Sequence, residues 1–395
     1  METIFEYAQS LVYTLLGLMP SPHQRSSLEA LLGLFLQAQG QAIPAHCTSK
    51  SASALSRFLN RYDWSTVGVI RATRRAMLNQ VLRHLPPGMT TLKVILDLTT
   101  LPKCGKFAHL ATSLPSEVGD DSATVQTDPW VRVLNGKRGL HLVMHLVMLY
   151  LVIGQWRVPW SFCIWHGKGH LSPVQLACKL LARVPKTLTH RFPVIVLADT
   201  EFGTIKFLQA VQKRQWRAVV GMPGNRQMEN GKSLKQLYRT GRRGQQVRLV
   251  GMSTPLTVSW FWLKRSERKR ELRFVVSTYP YSGVYLVRLG RQRWAIEGFF
   301  KTIKHRFSLH RFGQSTLLGL YRWLVLSLVA FVLAHWTHCW AKPQRLDWKA
   351  ARELAQVILL PQVVWKDLLH QIRSHWDIAM QHGFEIILKP IRWDY

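Results

Sequence analysis

The spacing of apolar positions changes more than once along this chain. Up to about residue 88 they recur at intervals of three and four, the helical period. LEALLGLFLQAQ follows a capping box of Ser26 and Glu29, and SASALSRFLNRYDWS holds a short helix ending near Asp63. STVGVIRATRRAMLNQVLRHL is closed by Pro86-Pro87-Gly88. The texture then becomes that of buried strands. TLKVILDLTTL and GLHLVMHLVMLYLVIGQWRVPWSFCIWHG are rich in β-branched and aromatic residues, the second with a Gly-Gln turn at Gly154. SPVQLACKLLARV reads as a helix capped by Ser172 with Pro173 in its first turn, RFPVIVLADTEF as a buried strand, TIKFLQAVQKRQW as a helix and RAVVGMP as a strand. Strands alternating with helices predict an α/β domain.

From Pro223 to about Tyr285 the helical period disappears, and QQVRLVGM, LTVSWFWL and ELRFVVSTY predict a β-rich insertion. YLVRLGRQRWAIEGFFKTIKHRF then predicts one strongly helical stretch, followed by an apolar helix around Trp323 and an amphipathic helix at ARELAQVILL. The expected organisation is a helical N-terminal domain over 1–88, an α/β domain in two parts over 89–222 and 286–340, the insertion over 223–285, and a helical C-terminal region over 341–395. No internal repeat is evident.

Composition narrows the partner. The 395 residues hold 53 Lys and Arg against 21 Asp and Glu, a net charge of +32, which argues for a polyanion: nucleic acid or an anionic membrane surface. With 47% hydrophobic residues this is a folded protein rather than a basic tail. The one membrane candidate, Trp323–Trp340, has an apolar core only as far as Ala334, short of the ~20 residues a span needs, so a buried core helix and no membrane partner are expected. Five scattered cysteines without C-x-x-C, and Glu2 and Glu6 where a secretory signal would be basic, point to a cytoplasmic protein without structural zinc. Arg57, Arg61, Arg71, Arg74, Arg75 and Arg83 in the N-terminal helices suit either a DNA-contacting domain or a solvated helical cap.

Acids are scarce, so those in apolar settings are informative. Asp97 ends the run VILDL and Asp199 ends VIVLAD, and strand carboxyl ends are where ligands collect in open α/β sheets. Each alone is also an ordinary turn former or helix cap. Glu297 has Arg293 four residues before and Lys301 four after, the spacing of a helical ion pair. At about 100° per residue, Arg293, Glu297 and Lys304 form one polar stripe beside the apolar stripe of Ile296, Phe300, Ile303 and Phe307. Three carboxylates are suitable hard ligands for Mg²⁺ or Mn²⁺, and two such ions would serve an in-line displacement at a phosphodiester.

These residues resemble a known family. Gly290-x2-Arg293-x3-Glu297-x6-Lys304 matches, at three of four positions, the Tyr-x2-Arg-x3-Glu-x6-Lys signature of bacterial insertion-sequence DDE transposases of the insertion-sequence-four group. VILDLTTL looks like the strand bearing that family's first aspartate, and VIVLADTEFG like the second, with Phe202 and Gly203 after it. The resemblance spans roughly residues 90 to 335. It implies an RNase H-like catalytic domain in which Asp97 bridges two Mg²⁺ or Mn²⁺ ions, Asp199 and Glu297 each hold one, and Arg293 and Lys304 contact phosphates. The implied reaction is cut-and-paste transposition: hydrolysis at the element's inverted repeats, a hairpin end, and strand transfer by a homodimer on double-stranded DNA in the bacterial cytoplasm, associated with the nucleoid. An inactive DNA-binding relic on the same scaffold is the other reading. Gly290 departs from the family's Tyr, a contact that Tyr285 or Trp294 would have to replace.

Three further features complete the expectation. TVSWFWLKRSERKRELRFVVSTY reads as a hairpin whose tip carries Arg265, Arg268 and Lys269 among other cations, with Trp260 and Trp262 on one strand face, placed either to stack a flipped base or to pack on the domain. Lys301 joins the set of candidate DNA contacts. His166 and His170 read as a basic loop in preference to zinc ligands, and Glu201 as a helix N-terminal acid or an auxiliary ligand.

Overall fold

The computed structural model describes residues 2–37, 41–85, 90–102, 132–136, 139–167, 169–264, 270–293, 295–314, 316–340 and 347–387. Helices α1 (Glu2–Gly17), α2 (Pro22–Gln37), α3 (Ala52–Asn60) and α4 (Thr66–His84) precede strands β1 (Leu92–Pro102), β2 (Arg132–Gly136), β3 (Gly139–Ile153) and β4 (Trp156–Trp165). Then come α5 (Pro173–Leu181), α6 (Lys186–Arg191), β5 (Val194–Ala198), α7 (Ile205–Gln212), β6 (Arg217–Met222), α8 (Leu234–Thr240), β7 (Gln245–Val247), β8 (Leu256–Lys264) and β9 (Arg270–Ser277). Helices α9 (Gly283–Gln292), α10 (Ala295–Phe307), α11 (Leu317–Trp340), α12 (Trp348–Leu359), α13 (Pro361–Ser374) and α14 (Trp376–Gln381) complete the chain.

Two compact units divide it: Thr73–Lys304, and Met1–Ala72 with His305–Tyr395. The first is built on one nine-stranded mixed sheet in the order β2-β3-β1-β5-β6-β9-β8-β7, with β4 also paired to β3. β1 is its pivot, antiparallel to β3 and parallel to β5. Leu92, Val94, Ile95 and Leu96 are fully buried, as expected of a strand covered on both faces. Gly154, at φ +53, makes the expected tight turn between β3 and β4. Ser172 and Gln175 form a full capping box on α5 behind Pro173.

The segment expected as a β-rich insertion over 223–285 holds β7, β8 and β9. β8 and β9 pair with each other, and β9 pairs with β6, so the segment extends the central sheet. The expected long helix divides into α9 and α10 at Arg293, which keeps helical angles of −53° and −34°. The second helix also starts earlier than expected. Pro22 takes its first turn and Ser21 accepts from the Gln24 N–H at 3.3 Å, leaving Ser26 and Glu29 inside the helix.

The second unit is helical. Helix α11 is long and apolar enough to cross a bilayer by composition, yet it is mostly buried, packed by α1, α2, α3 and α12. A helix apolar all round needs partners all round. This explains why helices of the expected regions 1–88, 286–340 and 341–395 share one unit around α11. Arg322, 3% exposed in α11, donates to the carbonyls of Phe58, Leu59, Tyr62 and Trp64 and to the Thr66 hydroxyl at 2.9–3.2 Å, and lies 4.1 Å over the Trp64 ring.

Candidate active site

The two aspartates meet through strand register. Leu96 of β1 pairs with Ala198 of β5 in parallel, so one step further Asp97 and Asp199 stand side by side on strands about 4.8 Å apart. Asp97 lies within β1, opposite Met148 of β3, and its Oδ1 accepts the Leu98 N–H at 2.9 Å. Asp199 follows the last residue of β5 and caps a 3-10 turn over Thr200–Phe202 by accepting the Thr200 N–H. Gly221 on β6 lets that turn approach, since a Cβ there would stand 2.7 Å from the Thr200 hydroxyl.

Arg293 ties the third carboxylate to the first. Its Nη1 is 2.7 Å from Asp97 Oδ2 and its Nη2 is 2.7 Å from Glu297 Oε1, while Arg293 and Asp97 side chains are only 12% and 10% exposed. Glu297 on α10 is half-exposed. The expected polar stripe therefore forms despite the division between α9 and α10. Lys304 donates from Nζ to the Thr100 carbonyl at 2.8 Å, and burial lowers its pKa against the pull of Asp97.

Burial pushes Asp97 up from 3.8 to about 6; Arg293 and the Leu98 N–H oppose the rise, and the charges of Asp199 and Glu297 add to it. One guanidinium does not neutralise this cluster. Because the folded pKa lies above the unfolded one, Asp97 contributes stability that is complete below about pH 3.8 and is lost as pH rises through about 6. The difference is worth about 3 kcal/mol. In chelator, Asp97→Asn should unfold at a higher temperature than wild type at pH 7.5, with the two curves converging below pH 4. A wild-type advantage at pH 7.5 would show that Arg293 overcompensates burial.

A cavity of about 410 Å³ opens beside these groups, lined by Asp199, Thr200, Gly221, Gly290, Arg293 and Glu297, and by Phe261, Leu263, Arg273, Phe274 and Val275 from β8 and β9. The β8 and β9 residues were missed in the sequence. Strand alternation gives the signal: Phe261 and Leu263 face oppositely to Trp260 and Trp262. Trp260 is 5% exposed, 6.3 Å from Phe274 and 5.7 Å from Tyr238, so it packs. Trp262 is 47% exposed beside Tyr238. Gly290 packs α9 closely onto β9, where a Cβ would stand 3.3 Å from Val275. Tyr285 does not line the cavity and lies against Tyr281.

Of the remaining candidates, Lys301 is exposed on α10 and Glu201 is exposed in the turn after Asp199. Arg265, Arg268, Lys269 and Trp294 lie outside the described residues. The rings of His166 and His170 are 5.4 Å apart. Among the described residues no three His, Cys, Asp or Glu side chains are grouped so as to hold a metal.

Comparison with known proteins gives three likenesses. Residues 163–333 match the Transposase DDE domain family, a span that takes in Asp199, Arg293, Glu297 and Lys304 and begins after Asp97. A probable transposase for insertion sequence element IS5377 of Geobacillus stearothermophilus is 24% identical over 213 residues, 49% of this chain and 56% of that protein. The alignment thus spans little more than half of the relative's length. A piggyBac transposase synaptic complex with hairpin DNA superposes with a TM-score of 0.47 at 10% identity, covering 99% of this chain and 84% of that one, and adds nothing to the assignment. By its DDE-domain match and its insertion-sequence relative, the chain is similar over its central and later part to bacterial insertion-sequence DDE transposases.

Proposed function

We propose that this chain cuts and rejoins the ends of an insertion sequence by phosphodiester hydrolysis and strand transfer, with Asp97, Asp199 and Glu297 as the catalytic carboxylates. The observation that carries the reading is the clasp of Asp97 and Glu297 by one largely covered arginine, with Asp97 and Asp199 each directly after the paired residues Leu96 and Ala198, in a chain of net charge +32. The antiparallel set β4-β3-β1 continued by parallel β5 and β6, with carboxylates on adjacent strands and on α10, supports an RNase H-like core. The spacing from Gly290 to Lys304 favours the insertion-sequence-four group.

The donor set suits Mg²⁺ or Mn²⁺ in its chemistry: hard oxygens only, with a cation offsetting the burial that holds Asp97 up at about 6. Asp97, Asp199 and Glu297 would hold the ions, two in this reading, which when bound activate the attacking oxygen and neutralise the leaving one. The protein's own groups do the positioning. Arg293 holds Asp97 and Glu297 together and offers a planar donor set suited to a phosphate. Lys304, fixed by the Thr100 carbonyl, adds positive charge near Asp97. Lys301, Trp262 and the tip residues Arg265, Arg268 and Lys269 are proposed DNA contacts. A hairpin intermediate rests on the family resemblance alone, as does action as a homodimer on paired ends in the bacterial cytoplasm.

The test is a labelled duplex bearing the terminal inverted repeat of the protein's own element, incubated with Mg²⁺ or Mn²⁺ and with chelator. Metal-dependent nicking at the repeat is expected. Binding to the same duplex should weaken about 10³- to 10⁵-fold between 50 and 200 mM salt if six to ten phosphates are contacted. Salt-dependent binding without nicking under any metal would favour the relic; a flat salt response would remove the nucleic-acid reading.

A further inference from the structure

Helix α9 has two chemically different faces. At about 100° per residue, Leu286, Leu289, Gly290 and Arg293 fall on the side that is buried or lines the carboxylate cavity. Val284, Val287, Arg288 and Arg291 fall on the other side. Val284 is 80% exposed, and both arginines are exposed. With Arg243, from the turn before β7, they line a second groove of about 450 Å³. No acid lines it. Among the described residues, none of the three arginines enters an ion pair.

The groove's walls are held in place by the backbone. Gly244 adopts φ +84, and a Cβ there would stand 2.6 Å from the Gly283 nitrogen, so the turn carrying Arg243 presses on the start of α9. The Gly244 N–H donates to Val258 at 2.8 Å, and the Ser259 hydroxyl donates to the Gly283 carbonyl at 3.0 Å, fastening both walls to β8. Arg291 lies 5.6 Å from the Phe261 ring. A further cation, Lys93, has its pKa lowered by burial and then by the positive charges of Arg157 and Arg288. Cations crowded without acids form a site for an anion.

We propose that this groove seats the phosphate backbone of a DNA duplex at a second site, on the outward face of the helix whose inward face carries Arg293. The proposal rests on the DNA-acting reading above. Arg288 and Arg291 stand about 4.5 Å apart along the helix axis, and with Arg243 on the other wall they present three guanidinium groups to one groove. Val284 and Val287 give sugar edges an apolar seat between them. DNA on the outer face would then fix α9, and with it the arginine that clasps the carboxylates.

The test compares R243Q/R288Q/R291Q with K179Q/K186Q/K213Q, which removes the same charge from exposed positions elsewhere in the same unit. Affinity for a labelled duplex is measured from 50 to 200 mM salt. Three lost phosphate contacts should make the logarithmic salt slope of the groove variant shallower by about 2.7. Wild type would then lose about 40-fold more affinity than the variant across that range. The control should retain the wild-type slope. Equal slopes for the two variants, or a groove variant that behaves as wild type, would overturn the groove while leaving DNA action intact. A flat wild-type response would overturn both readings. Should the variant misfold, phenylglyoxal labelling of wild type read by mass spectrometry decides: DNA is expected to protect Arg243, Arg288 and Arg291, and unchanged labelling would overturn the groove.

Discussion

Asp97→Asn, Asp199→Asn and Glu297→Gln are each expected to lower metal-dependent nicking of the element end by about 10³-fold or more, while leaving salt-dependent binding of the uncut duplex near wild type. Each substitution keeps shape and removes one negative charge, so the loss reports charge rather than packing. The scale follows from groups that act as a unit: removing one member of such a set costs nearly as much as removing several. Asp97 should be the most damaging, because it alone joins the strand pair to Arg293 and so to Glu297. Lys301→Gln, on the same helix and exposed, provides the comparison, with a small loss expected. If Asp97→Asn nicks at the wild-type rate, the site assigned here is wrong, whatever the protein's activity.

The second large effect concerns stability. Arg322→Met should cost about 3–5 kcal/mol, since each buried acceptor left unsatisfied costs about 1–3 kcal/mol and several are lost together. Thermal unfolding would fall by on the order of 10 °C for a unit of this size. The Phe58 and Leu59 carbonyls close the last turn of α3 and those of Tyr62 and Trp64 follow it, groups that a helix end leaves without donors. Burial lowers the guanidinium only to about 10, so it stays charged at neutral pH. Methionine fills the volume and satisfies none of these oxygens. Arg322→Lys keeps the charge but has at most three donors and no planar fork, so an intermediate loss is expected. An Arg322→Met protein that melts with wild type would mean that these bonds contribute nothing net.

Local features were legible in the sequence, and pairings between distant residues were not. β1 and β5 stand out as apolar runs ending in or interrupted by acids, Gly154 as a turn, and Ser172-Pro173 as a helix start, because each is set within a few residues. The membership of β8 and β9 in the central sheet depends on pairing Val219 with Ser277, which no local pattern encodes. The same holds for the clasp itself, since Arg293 reaches Asp97 across 196 positions. Spacing put Glu297 and Arg293 on one stripe but gave no sign that the stripe would face Asp97. The tryptophans of β8 illustrate a different gap. Alternation showed that Trp260 and Trp262 share a face, while which face meets the carboxylates was decided by how α9 and β9 pack around Gly290.

The place of β1 in the sheet bears on how copies of such a gene should be judged intact. The family match begins at residue 163, beyond β1. Yet β1 is the strand that joins β3 to β5, and it carries Asp97. A copy interrupted upstream of residue 163 would keep the recognisable domain, Asp199 and Glu297 included, while losing the seam of its sheet and one of its three carboxylates. Genomic surveys that count elements by the domain match alone would score such fragments as potentially mobile. Requiring the VILDL strand as well would exclude copies that lack this seam.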